Sequence, residues 1–214
     1  MDRLPEMVSV VLATFNRAHL LRRAIDSVLR QSILDWQLIV VDDGSTDNTR
    51  SVVERYSSAD VRVNYLHQPN AGLALARNAG MRHADAGFVT FLDSDDEYRP
   101  DHLEMRLAYF EAHPETDLLH GGVEIVGGPD YVRDVNDPNR HVALSECFIG
   151  GTFFMRWQVF QELDGFRPPD FGTDYEFAQR AQGRFNVRKI EASTYIYHRE
   201  TPDSLCNLME KSCG

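Results

Sequence analysis

Strand-like runs alternate with stretches of helical period through the first 98 residues, and this alternation constrains the fold more than any other feature of the chain. "VSVVLA" (8–13) is a continuous β-branched run of the kind found in strands buried on both faces. In "AHLLRRAIDSVLRQS", Leu20, Leu21, Ala24, Ile25, Val28 and Leu29 fall at helical spacing. "WQLIVVDD" is a second buried strand, with Ser45 to Asn48 as the expected helix start before "TRSVVERY". "VRVNYLHQ" reads as a third strand, "AGLALARNAGMRHADAG" as a helix stopped by Gly87, and "FVTFLD" as a fourth strand. This order predicts βαβ units, parallel strands and right-handed crossovers, an α/β fold with a Rossmann-like, mostly parallel sheet flanked by helices.

Beyond residue 98 the pattern loosens. A helix is expected in "RPDHLEMRLAYFEAHPET" and a strand in "DLLHGGVEIV", followed by a polar loop or hairpin over 127–146. "FIGGTFFMRWQVFQELDGF" predicts a short strand and a short helix, "TDYEFAQRAQG" a helix from near Thr173, and "VRKI" and "STYIYH" two late strands. No linker divides the chain, so the expectation is one domain over 1–214, with a regular half (1–98) and a less regular half (99–214).

Composition narrows the function. A net charge of -11 argues against a nucleic-acid partner, because phosphate backbones require a basic face. An anionic nucleotide is still admissible where a metal supplies local positive charge. The three cysteines, Cys147, Cys206 and Cys213, form neither a CxxC pair nor a zinc spacing, which suits a reducing compartment. The start "MDRLPEMVSVVLATFN" lacks a signal-peptide pattern, and no apolar run approaches the ~20 residues that span a bilayer. The expectation is a soluble, cytoplasmic protein.

In open α/β sheets the ligand crevice lies beyond the carboxyl ends of the strands. Three polar strand ends meet there: Ala13, Thr14, Phe15, Asn16 and Arg17 after the first strand, Asp42 and Asp43 after the second, and Asp93 to Glu97 after the fourth. In "FLDSDDEY" carboxylates crowd the end of a buried strand, where they repel one another unless something compensates them. An extended backbone puts Asp93 and Asp95 on one side and Ser94 on the other. Either water around a solvated turn or a divalent cation could compensate these carboxylates; hard divalent ions take carboxylate oxygens and leave positions open for phosphate. Asp96 and Glu97 are expected to be solvated or to cap the following turn.

"VSVVLATFNRAHLLRRAIDSVLRQ", "LIVVDDGSTDNT", "NAGLALARNAG", "FLDSDD" and "GTDYEF" occur in order at compatible spacing. In these motifs, from residue 8 to about 205, the chain resembles a family 2 glycosyltransferase of the GT-A fold. The resemblance implies a nucleotide-sugar donor, commonly a UDP-sugar, Mn²⁺ or Mg²⁺ as cofactor, and inversion at the anomeric carbon, with 1–98 as the nucleotide-binding half and 99–214 as the acceptor and catalytic half. It implies a glycan or lipid-linked acceptor hydroxyl, surface polysaccharide synthesis, and work at the inner face of the membrane. Phe15 then stacks on a nucleobase, or else packs as a core aromatic. Asp43 accepts a hydrogen bond from the base, or else caps the next helix, while Asp42 serves the turn. Arg17 approaches the diphosphate or lies solvated on the surface. Asp95 ligates the metal, and Asp93 binds the ribose or a metal-bound water. Arg77 and Asn78 buttress the acidic loop or the donor, with an ion pair between Arg77 and Asp93 as the structural alternative.

By the same resemblance Asp174 is the general base for the acceptor hydroxyl, with Glu176 as the fallback. The family often has Glu-Asp where this chain has Thr173-Asp174, which removes an acceptor contact. Gly150, Gly151 and Thr152 form the floor of the sugar pocket, where small residues permit close approach. His198, followed by Arg199, is a candidate contact to metal or phosphate. Two other readings stay open. A sugar-phosphate nucleotidyltransferase would want a glycine-rich phosphate loop after the first strand, and "ATFNRAH" has no glycine. A catalytically silent sugar-nucleotide-binding protein would use the same crevice without the chemistry.

Overall fold

The computed structural model describes residues 4–134, 137, 140–168, 172–201 and 204. In chain order the elements are β1 (Leu4–Thr14), α1 (Leu21–Leu29), β2 (Trp36–Asp42), α2 (Thr49–Ala59), β3 (Val63–His67), α3 (Leu73–His83) and β4 (Ala86–Phe91). Then follow β5 (Glu97–Tyr98), α4 (His102–Ala112), β6 (Leu118–Val126), β7 (Tyr131–Arg133), β8 (His141–Ala143), β9 (Phe154–Arg156), α5 (Trp157–Leu163), α6 (Thr173–Gln182) and β10 (Val187–His198). An eight-stranded sheet runs in the order β3-β2-β1-β4-β9-β6-β10-β5. Strands β3, β2, β1 and β4 are parallel, as are β6 and β10. The short β9 runs antiparallel between β4 and β6 and joins the two parallel halves.

The period-two geometry of the strands builds two cores, one on each face of the sheet. Val8, Val10 and Leu12 of β1 and Leu38 and Val40 of β2 point to the face covered by α1, α2 and α4. Val11, Ile39 and Val41 point to the opposite face, covered by α3, α5 and α6. All seven residues of β2 are buried, which is why it reads as one apolar run rather than an alternation. On α1 the buried Leu21, Ala24, Ile25 and Val28 form the stripe expected at helical spacing. Helix α3 lies directly on β1 because Gly80 faces Val11; a Cβ at that position would overlap the valine side chain.

Two expectations are corrected. Gly87 does not end α3, which stops at His83 with Ala84 extended; Gly87 already lies within β4. The two late strands are one strand, β10, whose pairing with β6 shifts between Ile190 and Tyr195. Of the loop or hairpin expected over 127–146, the hairpin is present, with β7 paired to β8. Among the described residues no helix is long and apolar enough to cross a membrane. Cys147 is half-buried and its thiol donates to the Ala143 carbonyl at 3.4 Å, while Cys206 and Cys213 lie outside the described residues.

Candidate active site

The loops after β1 and β2 are laced together. Asn16 takes a left-handed conformation (φ 54°), and its side-chain oxygen accepts the N–H of Thr46 at 2.8 Å. Its own N–H donates to the Ser45 hydroxyl at 2.9 Å, and Ala18 N–H donates to Asp47 at 3.0 Å. Asp42 serves the turn as expected, accepting Ser45 N–H at 2.8 Å and the Tyr65 hydroxyl at 2.6 Å. Asp43 caps no part of α2. Its carboxylate is buried and accepts N–H groups of Ala71 (2.9 Å), Gly72 (2.8 Å) and Gln68 (2.6 Å), holding the loop that leads into α3. Thr14 is buried and Ala13 half-buried, whereas Phe15 is 46% exposed and so packs in neither core.

The crowded carboxylates after β4 are compensated one by one. Asp95 Oδ2 lies 3.1 Å from Nη1 of Arg17, so Arg17 is an ion-pair partner of the acidic loop, not a solvated surface residue. Ser94 is buried, 3.5 Å from the same guanidinium nitrogen, and Arg23 donates to the Asp95 carbonyl. Asp96 corrects the expectation of a solvated residue: it is fully buried. It accepts the Tyr195 hydroxyl at 2.6 Å and the His198 N–H at 2.8 Å. Burial, with Asp95 and Asp93 close by, raises the Asp96 pKa well above the usual carboxylate range. Glu97 is half-buried and faces Arg30 at 3.7 Å and His198 Nε2 at 3.0 Å.

Arg77, on α3, joins the two halves of the site. Its guanidinium is buried, with Nη2 at 2.8 Å from Asp93 Oδ1 and Nη1 at 2.6 Å from Asp174 Oδ1. It lies 5.5 Å from the ring centroids of both Phe91 and Phe166. Burial opposes its charge, but Asp174 and Asp93 outweigh that and hold its pKa above the ordinary arginine value. Its neighbour Asn78 grips the Phe166 backbone, donating to the carbonyl and accepting the N–H, both at 2.8 Å. Asn78 therefore anchors the segment ahead of α6.

Asp174 sits in the first turn of α6, where the helix dipole favours an anion. Its Oδ2 accepts the N–H of Gly150 at 2.8 Å. A Cβ on Gly150 would overlap the Asp174 carboxylate, and one on Gly151 would overlap the Tyr195 hydroxyl, so this turn tolerates no side chain. Thr152 pins the turn from inside, donating to the Ile149 carbonyl at 2.7 Å and accepting Gly121 N–H at 3.0 Å. Thr173 is buried and donates to the Arg167 carbonyl at 2.8 Å. Glu176 is occupied by Arg180 at 2.6 Å. His198 has both ring nitrogens on carboxylates, Nε2 toward Glu97 and Nδ1 at 2.7 Å from Glu200. Arg199 is buried, with Nη2 3.5 Å from the Tyr131 carbonyl of the hairpin.

The fold thus gathers Thr14, Phe15, Asn16, Arg17, Asp43, Arg77, Asp93, Ser94, Asp95, Gly150, Gly151 and Asp174 at the carboxyl ends of β1, β2 and β4 and the turn before β9. Among the described residues no group of three or more His, Cys, Asp or Glu side chains is arranged as a ready-made metal cage. Sequence reasoning assigned no role to Tyr195 and did not anticipate the pairing of Arg77 with Asp174. Tyr195 carries no local signal, since "STYIYH" reads as an ordinary strand.

An open sheet with parallel βαβ units, an acidic loop after β4 and a carboxylate at the start of α6 define a GT-A type of fold. *Staphylococcus aureus* TarS (residues 1–349, in complex with UDP-GlcNAc) shares it, with a TM-score of 0.76 at 22% identity over 91% of this chain and 59% of that one. So does the mannosyltransferase PcManGT of *Pyrobaculum calidifontis* in complex with GDP-Man and Mn²⁺, with a TM-score of 0.74 at 23% identity over 97% of this chain and 61% of that one. The sequence profile of glycosyl transferase family 2 matches residues 9–171, and the chain belongs to that family. It is 34% identical over 148 residues to the *Escherichia coli* UDP-Glc:alpha-D-GlcNAc-diphosphoundecaprenol beta-1,3-glucosyltransferase WfgD, covering 67% of this chain and 57% of that protein. It is 38% identical over 104 residues to the putative teichuronic acid biosynthesis glycosyltransferase TuaG of *Bacillus subtilis*, covering 48% of this chain and 41% of that protein. The chain therefore spans well under two thirds of the length of these relatives.

Proposed function

We propose that this protein is a metal-dependent, inverting glycosyltransferase. It moves a sugar from a UDP-sugar to a hydroxyl of a glycan or lipid-linked acceptor in surface polysaccharide synthesis, at the inner face of the membrane. The observation that carries the reading is the Arg77 bridge, which puts Asp93 of the acidic loop and Asp174 of α6 on one guanidinium. A donor held over the acidic loop would present its anomeric carbon near a carboxylate able to take the acceptor proton. The glucosyltransferase name of WfgD and the UDP-GlcNAc complex of TarS support the choice of a UDP-sugar.

The donor set fits Mn²⁺ or Mg²⁺. Such ions use one or two carboxylates and fill their remaining positions with water and substrate phosphate, so no larger protein cage is needed. Asp95 already faces a cationic group, the Arg17 guanidinium, at 3.1 Å. Asp95 and Asp93 would hold the ion, and the Mn²⁺ in the PcManGT complex supports the choice of a divalent metal. When bound, the ion neutralises charge building on the departing nucleoside diphosphate.

The protein's own residues supply the rest. Phe15 offers an open ring for the nucleobase, and Asp43 shapes the adjoining wall with its carboxylate. Arg17 stands at the acidic loop, where it can pair with diphosphate oxygens. Asp174, oriented by Arg77 and by Gly150 N–H, takes the proton of the acceptor hydroxyl as that oxygen attacks the anomeric carbon. The bond to the diphosphate breaks in the same displacement, and the sugar inverts. Asp174 is joined through Arg77 to Asp93 of the acidic loop, whereas Glu176 pairs with Arg180 on its own helix, which favours Asp174 as the base.

The test is a calorimetric titration of UDP with and without Mn²⁺, followed by UDP release from a panel of UDP-sugars. Mn²⁺-dependent UDP binding together with Asp174-dependent release supports the reading. UDP binding with no release from any donor would leave the silent-binder alternative in its place.

A further inference from the structure

The contacts around the site close into a ring, and one hydroxyl with no assigned role completes it. Asp174 pairs with Arg77, and Arg77 pairs with Asp93. The N–H of Asp93 points to the Tyr195 hydroxyl at 3.4 Å, and that hydroxyl donates to Asp96 at 2.6 Å. It also abuts Gly151, where a Cβ would overlap it. Gly151 belongs to the turn whose Gly150 N–H returns to Asp174 at 2.8 Å. We propose that Tyr195 is a positioning residue: its hydroxyl fixes the acidic loop against the Gly150–Thr152 turn, and so sets the distance between the metal carboxylates and the base. This inference rests on the metal-dependent donor reading above.

The geometry separates this role from ordinary packing. The Tyr195 ring is buried in the core between the sheet and α4, in edge contact with Tyr98 at 5.8 Å between centroids. That packing needs the ring alone; the oxygen reaches past it to the acidic loop, at Asp93 and Asp96, and to the turn at Gly151. Asp96 carries the clamp further, because its other oxygen accepts the His198 N–H at 2.8 Å and ties the end of β10 to the loop. Asp96 is fully buried, with its two oxygens turned to the Tyr195 hydroxyl and the His198 N–H. It therefore acts behind Asp95 rather than on substrate. Supporting groups of this kind commonly change metal affinity or activity by about 10–100-fold when removed.

Tyr195→Phe tests the proposal, since it keeps the ring and deletes only the oxygen. UDP affinity is measured by calorimetry across a Mn²⁺ series, beside the melting temperature and the rate of UDP release from donor. The expected result is a Mn²⁺ half-saturation raised roughly tenfold, with UDP affinity in the absence of metal unchanged. Asp96→Asn keeps an acceptor for His198 N–H and serves as the second variant should Tyr195→Phe fail to fold; the same shift is expected. A variant that loses melting temperature but keeps the parental Mn²⁺ response shows a structural hydroxyl only and overturns the inference. A parent protein whose UDP affinity ignores Mn²⁺ overturns the metal-dependent reading and this inference with it.

Discussion

The Arg77 bridge lends itself to a quantitative test. Arg77→Met replaces the guanidinium with a side chain of similar length and no charge. Breaking a buried ion pair by removing one partner costs about 3–5 kcal/mol when the remaining charge stays buried. Here two carboxylates are stranded, but their side chains are 28% (Asp93) and 27% (Asp174) exposed, so water recovers part of the loss. Asp174 also keeps its bond from Gly150 N–H. The lower end, about 3 kcal/mol, is the expected cost, which for a chain of this size lowers the melting temperature by roughly 6–12 °C. Arg77→Lys keeps the charge but offers a single point donor, which cannot span both carboxylates in a fork. It should lose about half as much stability as Arg77→Met, yet lose turnover by a comparable factor, on the order of 10². Thermal melts and UDP release from a competent donor read both quantities. Near-parental turnover in Arg77→Lys would refute the bridge as an organiser of the chemistry, and an unchanged melting temperature in Arg77→Met would refute the ion pairs themselves.

The remaining expectations follow from the same geometry. Asp95→Asn should abolish the gain in UDP affinity brought by Mn²⁺ and leave metal-free binding unchanged, as calorimetry can read. Phe15→Ala should weaken UDP binding by on the order of 1–2 kcal/mol with no change in melting temperature, because the ring is exposed. Asp43→Ala should lower both, because its carboxylate ties the loop before α3. Asp174→Asn should reduce turnover by on the order of 10²–10⁴-fold while donor affinity moves less than about threefold. Gly150→Ala should reproduce that loss by displacing the carboxylate. Burial, then Lys189, pushes the His120 pKa down to about 4 from its ordinary 6.5. The unfolded chain then takes up the proton first, so stability present above pH 6.5 is lost progressively toward pH 4. With the ring partly exposed the effect is at most about 2 kcal/mol between pH 7 and 5, and His120→Gln should flatten that slope in melting curves.

The fully buried strand β2, the helical stripe of α1 and the strand-end carboxylates were legible because each is a local pattern. Period two, period 3.6 and a polar break after an apolar run are all written within a dozen residues. The Asp93–Ser94–Asp95 spacing and the place of Asp174 at a helix start are local in the same sense, and the family motifs carried them. Tertiary structure alone decided how the charges pair. Arg77 meets Asp174 across 97 positions, and Tyr195 meets Asp96 across 99. Asp96 looked solvated in its own neighbourhood and is buried because the end of β10 closes over it. Likewise "VRKI" and "STYIYH" are one strand because a shifted register against β6 carries the chain through residues that break the pattern. A carboxylate at a strand end has the same local signature whether water, a metal or an arginine compensates it. Which one does so depends on residues brought in by the sheet order, and that order follows from burying both faces at once.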